Sequence, residues 1–150
     1  MSQPPPANSA LAEMKRALIE AGFEIFRTRG EEILLAERPR ENLIMDSGVR
    51  LRLGEPLEVL VVFRAQKADF PNEDESHLFG RVRQLAGTTL PVGFSEKGVA
   101  VARVEDPGDP TRTLDVFYEI TYSKSAPRLT EALPDLRRAL TMEKRASSDR

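Results

Sequence analysis

No cysteine occurs among the 150 residues, which removes disulfides, thiolate catalysis and every cysteine-containing metal site at once. A single histidine, His77, excludes multi-histidine metal sites and leaves one imidazole as a candidate general base. Positive charge is not in excess either. With 22 Lys and Arg against 24 Asp and Glu, a formal charge of −2 argues against nucleic acid as the main ligand, because phosphate binding rests on clustered cations. No stretch approaches the ~18 apolar residues that a membrane-spanning helix needs. The opening residues "MSQPPPANSA" have neither the positive charge nor the apolar run of a secretory signal, so a cytoplasmic chain is expected.

The motifs that carry common chemistry are missing too. No phosphate loop appears: Gly87 and Gly93 stand six apart, and Phe94 follows where lysine would contact the phosphates. Gly87, Gly93 and Gly98 do not make the dinucleotide spacing. Neither Ser47 nor Ser95 carries the glycine on both sides that a nucleophile elbow needs. Acids cluster at Glu73, Asp74 and Glu75 and again at Glu105, Asp106 and Asp109. A calcium loop, however, wants oxygen ligands at regular spacing around a glycine, and "EDPGDP" carries two prolines instead. No catalytic residue, no metal and no cofactor is therefore expected.

What is present describes a folded chain: 40% hydrophobic and 31% charged residues, with a length that fits one domain. The Pro-rich residues 1–8 and the short polar end 146–150 read as disordered tails around a single α+β domain at 9–145. After Ser9, a good N-cap, Leu11, Met14, Leu18 and Ala21 form one stripe of an amphipathic helix that stops at Gly22. Strand-like runs follow, with turns expected at Arg29-Gly30, Arg38-Pro39, Asp46-Ser47-Gly48 and Gly54-Glu55-Pro56. Val49, Leu51 and Leu53 alternate with Arg50 and Arg52, the pattern of a strand with one face in the core. Val59 to Phe63 is apolar throughout, as in a central strand covered on both faces.

A second helix is expected from Leu78, Phe79, Val82, Leu85 and Ala86, with acids before its first turn and Gly87 as its stop. One or two strands follow around Ser95 to Gly98. Leu114, Val116, Tyr118, Ile120 and Tyr122 then share one face of a further strand. Leu129, Leu133, Leu136 and Leu140 stripe a closing helix, which Pro134 either kinks or restarts. The order α-β-β-β(-β)-α-β-β-α, with short connections, predicts an α+β fold with helices packed on an antiparallel sheet.

Among the polar residues, arginines and aromatics on strand faces are the candidates for partner binding: Arg27, Arg50, Arg52, Arg64 and Phe117, with Phe26 beside them. Mixed arginine and aromatic faces suit protein hot spots. The plainer alternative is a solvated face whose arginines pair with Glu58, Asp115 and Glu119 across strands. His77, set between Ser76 and Leu78 in a first helical turn, reads as a solvated residue unless a neighbouring carboxylate orients it.

The opening helix ending "EAGFEI", the strand block through "LEVLVVFRA", the middle helix "ESHLFGRVRQLAG", two further strands and the closing helix "LPDLRRALTMEKR" together resemble the type III secretion chaperone-like fold. Small acidic secretion chaperones and YbjN-like bacterial proteins share that fold. The likeness spans roughly residues 9 to 145 and rests on topology. It implies a homodimer that binds another protein and does no chemistry. Roadblock-type domains, with helix-strand-strand-helix order, are a rival likeness. Two functions stay open: a non-enzymatic chaperone or adaptor for a protein partner, and a small-molecule-binding or hydrolytic domain using His77 with nearby acids and arginines.

Overall fold

The structure is a computed structural model and describes residues 7–147. In chain order the elements are α1 (Ala7–Glu20), β1 (Ile25–Arg29), β2 (Glu32–Arg40), β3 (Leu43–Arg52), β4 (Leu57–Gln66), α2 (Glu75–Thr89), β5 (Ser95–Asp106), β6 (Asp109–Ala126) and α3 (Leu129–Leu140). The class is α+β, with four strands in the first block and two in the second. The six strands form one antiparallel sheet in the order β1-β2-β3-β4-β6-β5. By contact clustering the chain divides into two compact units, one from residues up to Leu60 together with Ser125–Thr141, the other from Val61–Lys124 together with the residues after Thr141.

In the first unit, α1 is helical from Ala7, so Ser9 lies within it and is not its cap. Gly22 adopts φ +97°, a value that a residue with a Cβ rarely reaches, and turns the chain into β1. Leu18 on α1 is fully buried, and the Phe23 amide donates to its carbonyl oxygen. Gly30, at φ +59°, makes the β1–β2 turn as expected. Two other expected turns are overturned. Arg38-Pro39 continues β2, which reaches Arg40 before it reverses. Asp46-Ser47-Gly48 is an irregularity inside β3: the ladder runs Ala36 to Asp46 and then Leu34 to Arg50, leaving three residues of β3 opposite Leu35.

Side chains fill the gap in that ladder. Ser47 is buried, its Oγ donates to the Leu35 carbonyl at 2.7 Å and accepts from the Val49 amide at 3.1 Å. Asp46 accepts the Gly48 amide at 2.9 Å, and Gly48 takes φ +81°. A turn signal in the sequence has thus become a bulge, because both need an Asx-type bond and a glycine at positive φ. On α3 the fully buried positions are Ala132, Leu136 and Ala139, with Leu129, Leu133 and Leu140 half-buried beside them. The i, i+4, i+7 row that faces inward is therefore lined by smaller residues than the leucine stripe suggested. One helix runs through Pro134. Arg137 lies 5.4 Å from the Phe23 ring centroid and donates to the Ala21 carbonyl, tying α3 to the end of α1.

The second unit is built on the latter part of β4, where Val61, Phe63 and Ala65 are fully buried. Val59, Leu60 and Val61 are all buried, so both faces of this inner strand are covered, as the unbroken apolar run predicts. Phe63 meets Tyr122 of β6 edge to face at 5.6 Å. On α2 the stripe Leu78, Val82 and Ala86 is buried. Gly87 does not end this helix; it continues to Thr89, and Leu90 is its C-cap. Beyond it, Ser95 to Asp106 is a single strand. As to the chain ends, Ala7 and Asn8 belong to α1, Ala146 is buried and its amide donates to the Arg64 carbonyl at 2.9 Å, and residues 1–6 and 148–150 lie outside the described residues.

Candidate interaction surface

The arginine and aromatic candidates fall into separate groups. On β3, Arg50 is 9% exposed and Arg52 half-buried, on the face opposite the buried Val49 and Leu51. Arg50 pairs with Asp46 at 2.9 Å and lies 3.9 Å from Glu32; its Nη1 is buried and finds no acceptor. Arg52 meets Glu58 at 3.4 Å. These two cations thus face three carboxylates: Arg52 pairs across strands with Glu58, one of the expected partners, whereas the close partner of Arg50 is Asp46 on its own strand. Arg27 lies exposed on β1, with its guanidinium 5.8 Å from the Phe26 centroid. Arg64 and Phe117 come together in the second unit, cation over ring at 5.0 Å. Asp115 accepts instead from the Gln66 side chain at 2.5 Å and from the Ala68 amide.

His77 has a carboxylate beside it. Asp74 is the N-cap of α2: its Oδ1 accepts the His77 amide at 2.9 Å and sits 2.7 Å from His77 Nδ1. The capped amide, followed by the ring contact, holds the Asp74 carboxyl below its ordinary pKa. Both side chains are about 70% exposed, at 72% and 68%. The Asp–His contact is therefore a helix cap in water. A cleft of about 650 Å³ lies elsewhere in this unit, lined by Arg81, Glu143 and Arg145 among others. Arg81 donates through Nε to both carboxylate oxygens of Glu73, and Arg145 donates through Nε and Nη2 to Oδ2 of Asp69, so neither cation is in surplus for an anionic ligand. Among the described residues, no group of three or more His, Asp or Glu is placed to hold a metal ion. No helix among them is long and apolar enough to cross a membrane.

What sequence reasoning missed is the exposure of β5 along the β5–β6 ribbon. Of the twelve residues of β5, all but Asp106 are exposed. Along β6 burial rises with residue number: Asp109 to Leu114 are exposed, Asp115 to Glu119 half-buried, and Ile120 and Tyr122 buried. The register explains the gradient. Val99 stands opposite Ile120, Val101 opposite Tyr118 and Arg103 opposite Val116, so these residues share one face. On that face α2 covers only part of the ribbon. Phe79 meets Tyr118 edge to face at 5.4 Å, and Arg83 reaches Glu96 at 2.9 Å.

Apolar side chains of the ribbon are left in the open: Val99 is 54% exposed, Val101 40% and Leu114 50%, and Val104, opposite Asp115 on the other face, 42%. The ribbon's alternation was legible beforehand, but alternation marks which residues share a face and not whether anything covers it. β5 is also an end strand of the sheet, with its outer N–H and C=O groups turned away from β6. Compared with protein-family models, with curated proteins and with solved structures, the chain finds no match in any of the three.

Proposed function

We propose that the chain is a non-enzymatic protein-binding module, a chaperone or adaptor for a protein partner, and that the β5–β6 ribbon is its binding element. The exposure of β5 along its whole length carries the reading. A long end strand offers backbone hydrogen bonds for affinity and alternate side chains for specificity, which is how strand-addition binders work. Val99, Val101, Val104 and Leu114 supply the apolar contact that hot spots require. The likeness to secretion chaperones rests on the order of a helix, a block of strands, a helix, two strands and a helix, and this chain has that order, which supports the same reading. Absence of cysteine suits work in a reducing compartment such as the cytoplasm.

The arginines have a lesser role in this proposal. Arg50 and Arg52 are already matched by acids, so their charge is spent within the fold. Arg64 stacked on Phe117, and Arg27 beside Phe26, remain candidates for contact with the partner. The test is comparative retention on immobilised protein. Wild type and His77→Ala retain the same discrete cellular protein, and a Val101→Lys, Leu114→Lys chain loses it. Equal retention by the ribbon variant, or a turnover activity that vanishes in His77→Ala, would sink the reading.

A further inference from the structure

The first unit holds a groove of about 440 Å³ between α1, the β3–β4 turn and the first residue of α3. Ala10, Met14 and Ala17 stand at i, i+4 and i+7, so they form one row along α1. Two of the three are alanines, and a row this small leaves room beside the helix. Leu53, Leu57 and Leu129 complete the apolar lining. Leu57 is buried, while Met14, Ala17, Leu53 and Leu129 stay half-buried. The groove thus has an apolar floor that the fold itself does not fill.

Its charged groups are of one sign. Glu13 and Glu55 line the groove, both exposed, and no basic residue does so among the described residues. Neither carboxylate has an ion pair or a hydrogen bond with another described residue. Lys15 and Arg16 follow Glu13 on α1 but lie outside the lining. Arg128, which lines the adjoining hollow with Glu55 and Leu129, has its own acid in Glu131 at 3.7 Å. The cleft of the second unit differs on this point, since its arginines are matched by Glu73 and Asp69.

We propose that this groove binds a small organic cation, an ammonium group carried on an apolar body. The lining selects the class: leucines and Met14 take the body, and two carboxylates without a cation of their own take the charge. Size selects a small molecule over a protein. Ligand sites span roughly 300 to 1,000 Å³, whereas a stable protein interface takes about 800 Å² from each partner. At 1.5 Å per residue the row from Ala10 to Ala17 is about 10 Å long, the length of a phenyl ring with a butyl chain and its nitrogen. The proposal goes beyond the protein-binding reading and uses none of the ribbon's residues, so either can fail alone.

Phenylbutylammonium, phenylbutanol and phenylbutyrate share one body and differ in charge, which makes them the probes. Titration followed by the amide NMR shifts of Ala17 and Gly54 should give the ammonium a Kd of about 1 mM or below, as befits a fragment-sized ligand. At low salt it should bind about fivefold more tightly than the alcohol, since two exposed ion pairs contribute modestly, and phenylbutyrate should bind weakest. Raising salt from about 20 mM to about 500 mM should remove most of that preference, because screening weakens exposed pairs. In the Glu13→Gln, Glu55→Gln chain, ammonium and alcohol should bind alike. Both positions are exposed, so the fold persists, which circular dichroism checks; the salt series on the wild type decides the question without any substitution. Unmoved Ala17 and Gly54 amides at about 5 mM phenylbutylammonium, well above the expected Kd, overturn the proposal. So does an alcohol that binds as tightly as the ammonium, or a preference that survives high salt or the double substitution.

Discussion

Replacing Ser47 with alanine tests whether the bulge in β3 is held by its side chain. The hydroxyl serves two backbone groups in a buried place, donating to Leu35 O at 2.7 Å and accepting from Val49 N at 3.1 Å. Leu35 has no Cα partner in the β2–β3 ladder, so the serine stands in for a missing rung. Each bond contributes about 1 kcal/mol net, and a buried carbonyl left without a donor costs about 1 to 3 kcal/mol more than a solvated one. Ser47→Ala should therefore lose about 2 to 3 kcal/mol, or roughly 5 to 10 °C in Tm for a chain of this length. Gly48→Ala should cost about 1 to 2 kcal/mol by a different route, since it forces a Cβ onto a residue at φ +81°. Urea unfolding followed by circular dichroism reads both. The control is Arg38→Ala, which removes an exposed pair with Glu24 at 2.6 Å and should cost less than about 1 kcal/mol. A loss under about 0.5 kcal/mol for Ser47→Ala, the size of an ordinary surface change, would refute the account of the bulge.

Three other outcomes follow from the same reasoning. Phe63→Ala empties a fully buried site and removes the edge-to-face contact with Tyr122, so it should cost about 3 to 5 kcal/mol in the same unfolding assay. Asp74→Ala removes the cap of α2 and should cost about 1 kcal/mol, whereas His77→Ala, exposed beside it, should stay within about 0.5 kcal/mol. The guanidinium of Arg81 holds Glu73, and that of Arg83 holds Glu96, below the ordinary carboxylate range. Lowered folded-state values mean that these groups add stability above the unfolded pKa near 4 and lose it as pH falls through the folded value. Stability should thus be flat from neutral to about pH 5 and fall below about pH 4, with a shallower acid limb in Glu73→Gln and Glu96→Gln.

Much of the fold was legible because periodicity reports which residues share a side. The α2 stripe Leu78, Val82, Ala86 and the inner run Val59 to Phe63 are buried as their spacing predicts. Boundaries were less legible, for a local reason. Asp46-Ser47-Gly48 carries the chemistry of a turn, and only the pairing of β2 with β3 decides that it becomes a bulge. Gly87 likewise has the composition of a helix end, yet α2 runs past it to Thr89: glycine in a helix costs only about 1 kcal/mol, and beyond it the Thr88 hydroxyl donates to the Gln84 and Leu85 carbonyls.

The ribbon shows the limit more sharply. Leu114, Val116, Tyr118, Ile120 and Tyr122 are one apolar face by alternation, and the structure grades that face from exposed at Leu114 to buried at Ile120. Nothing local distinguishes the two ends. What separates them is the reach of α2, whose Phe79 meets Tyr118 and whose Arg83 meets Glu96, leaving Leu114 and Val101 beyond its cover. A face that is apolar at both ends but covered at one still carries unused hydrophobic free energy at the other, about 25 cal/mol for each Å² that a partner removes from water. That unused energy lies beside an unprotected strand edge, while the catalytic alternatives rest on a solvated histidine and on arginines already matched by acids. It is this free energy on which the proposed binding through the ribbon draws.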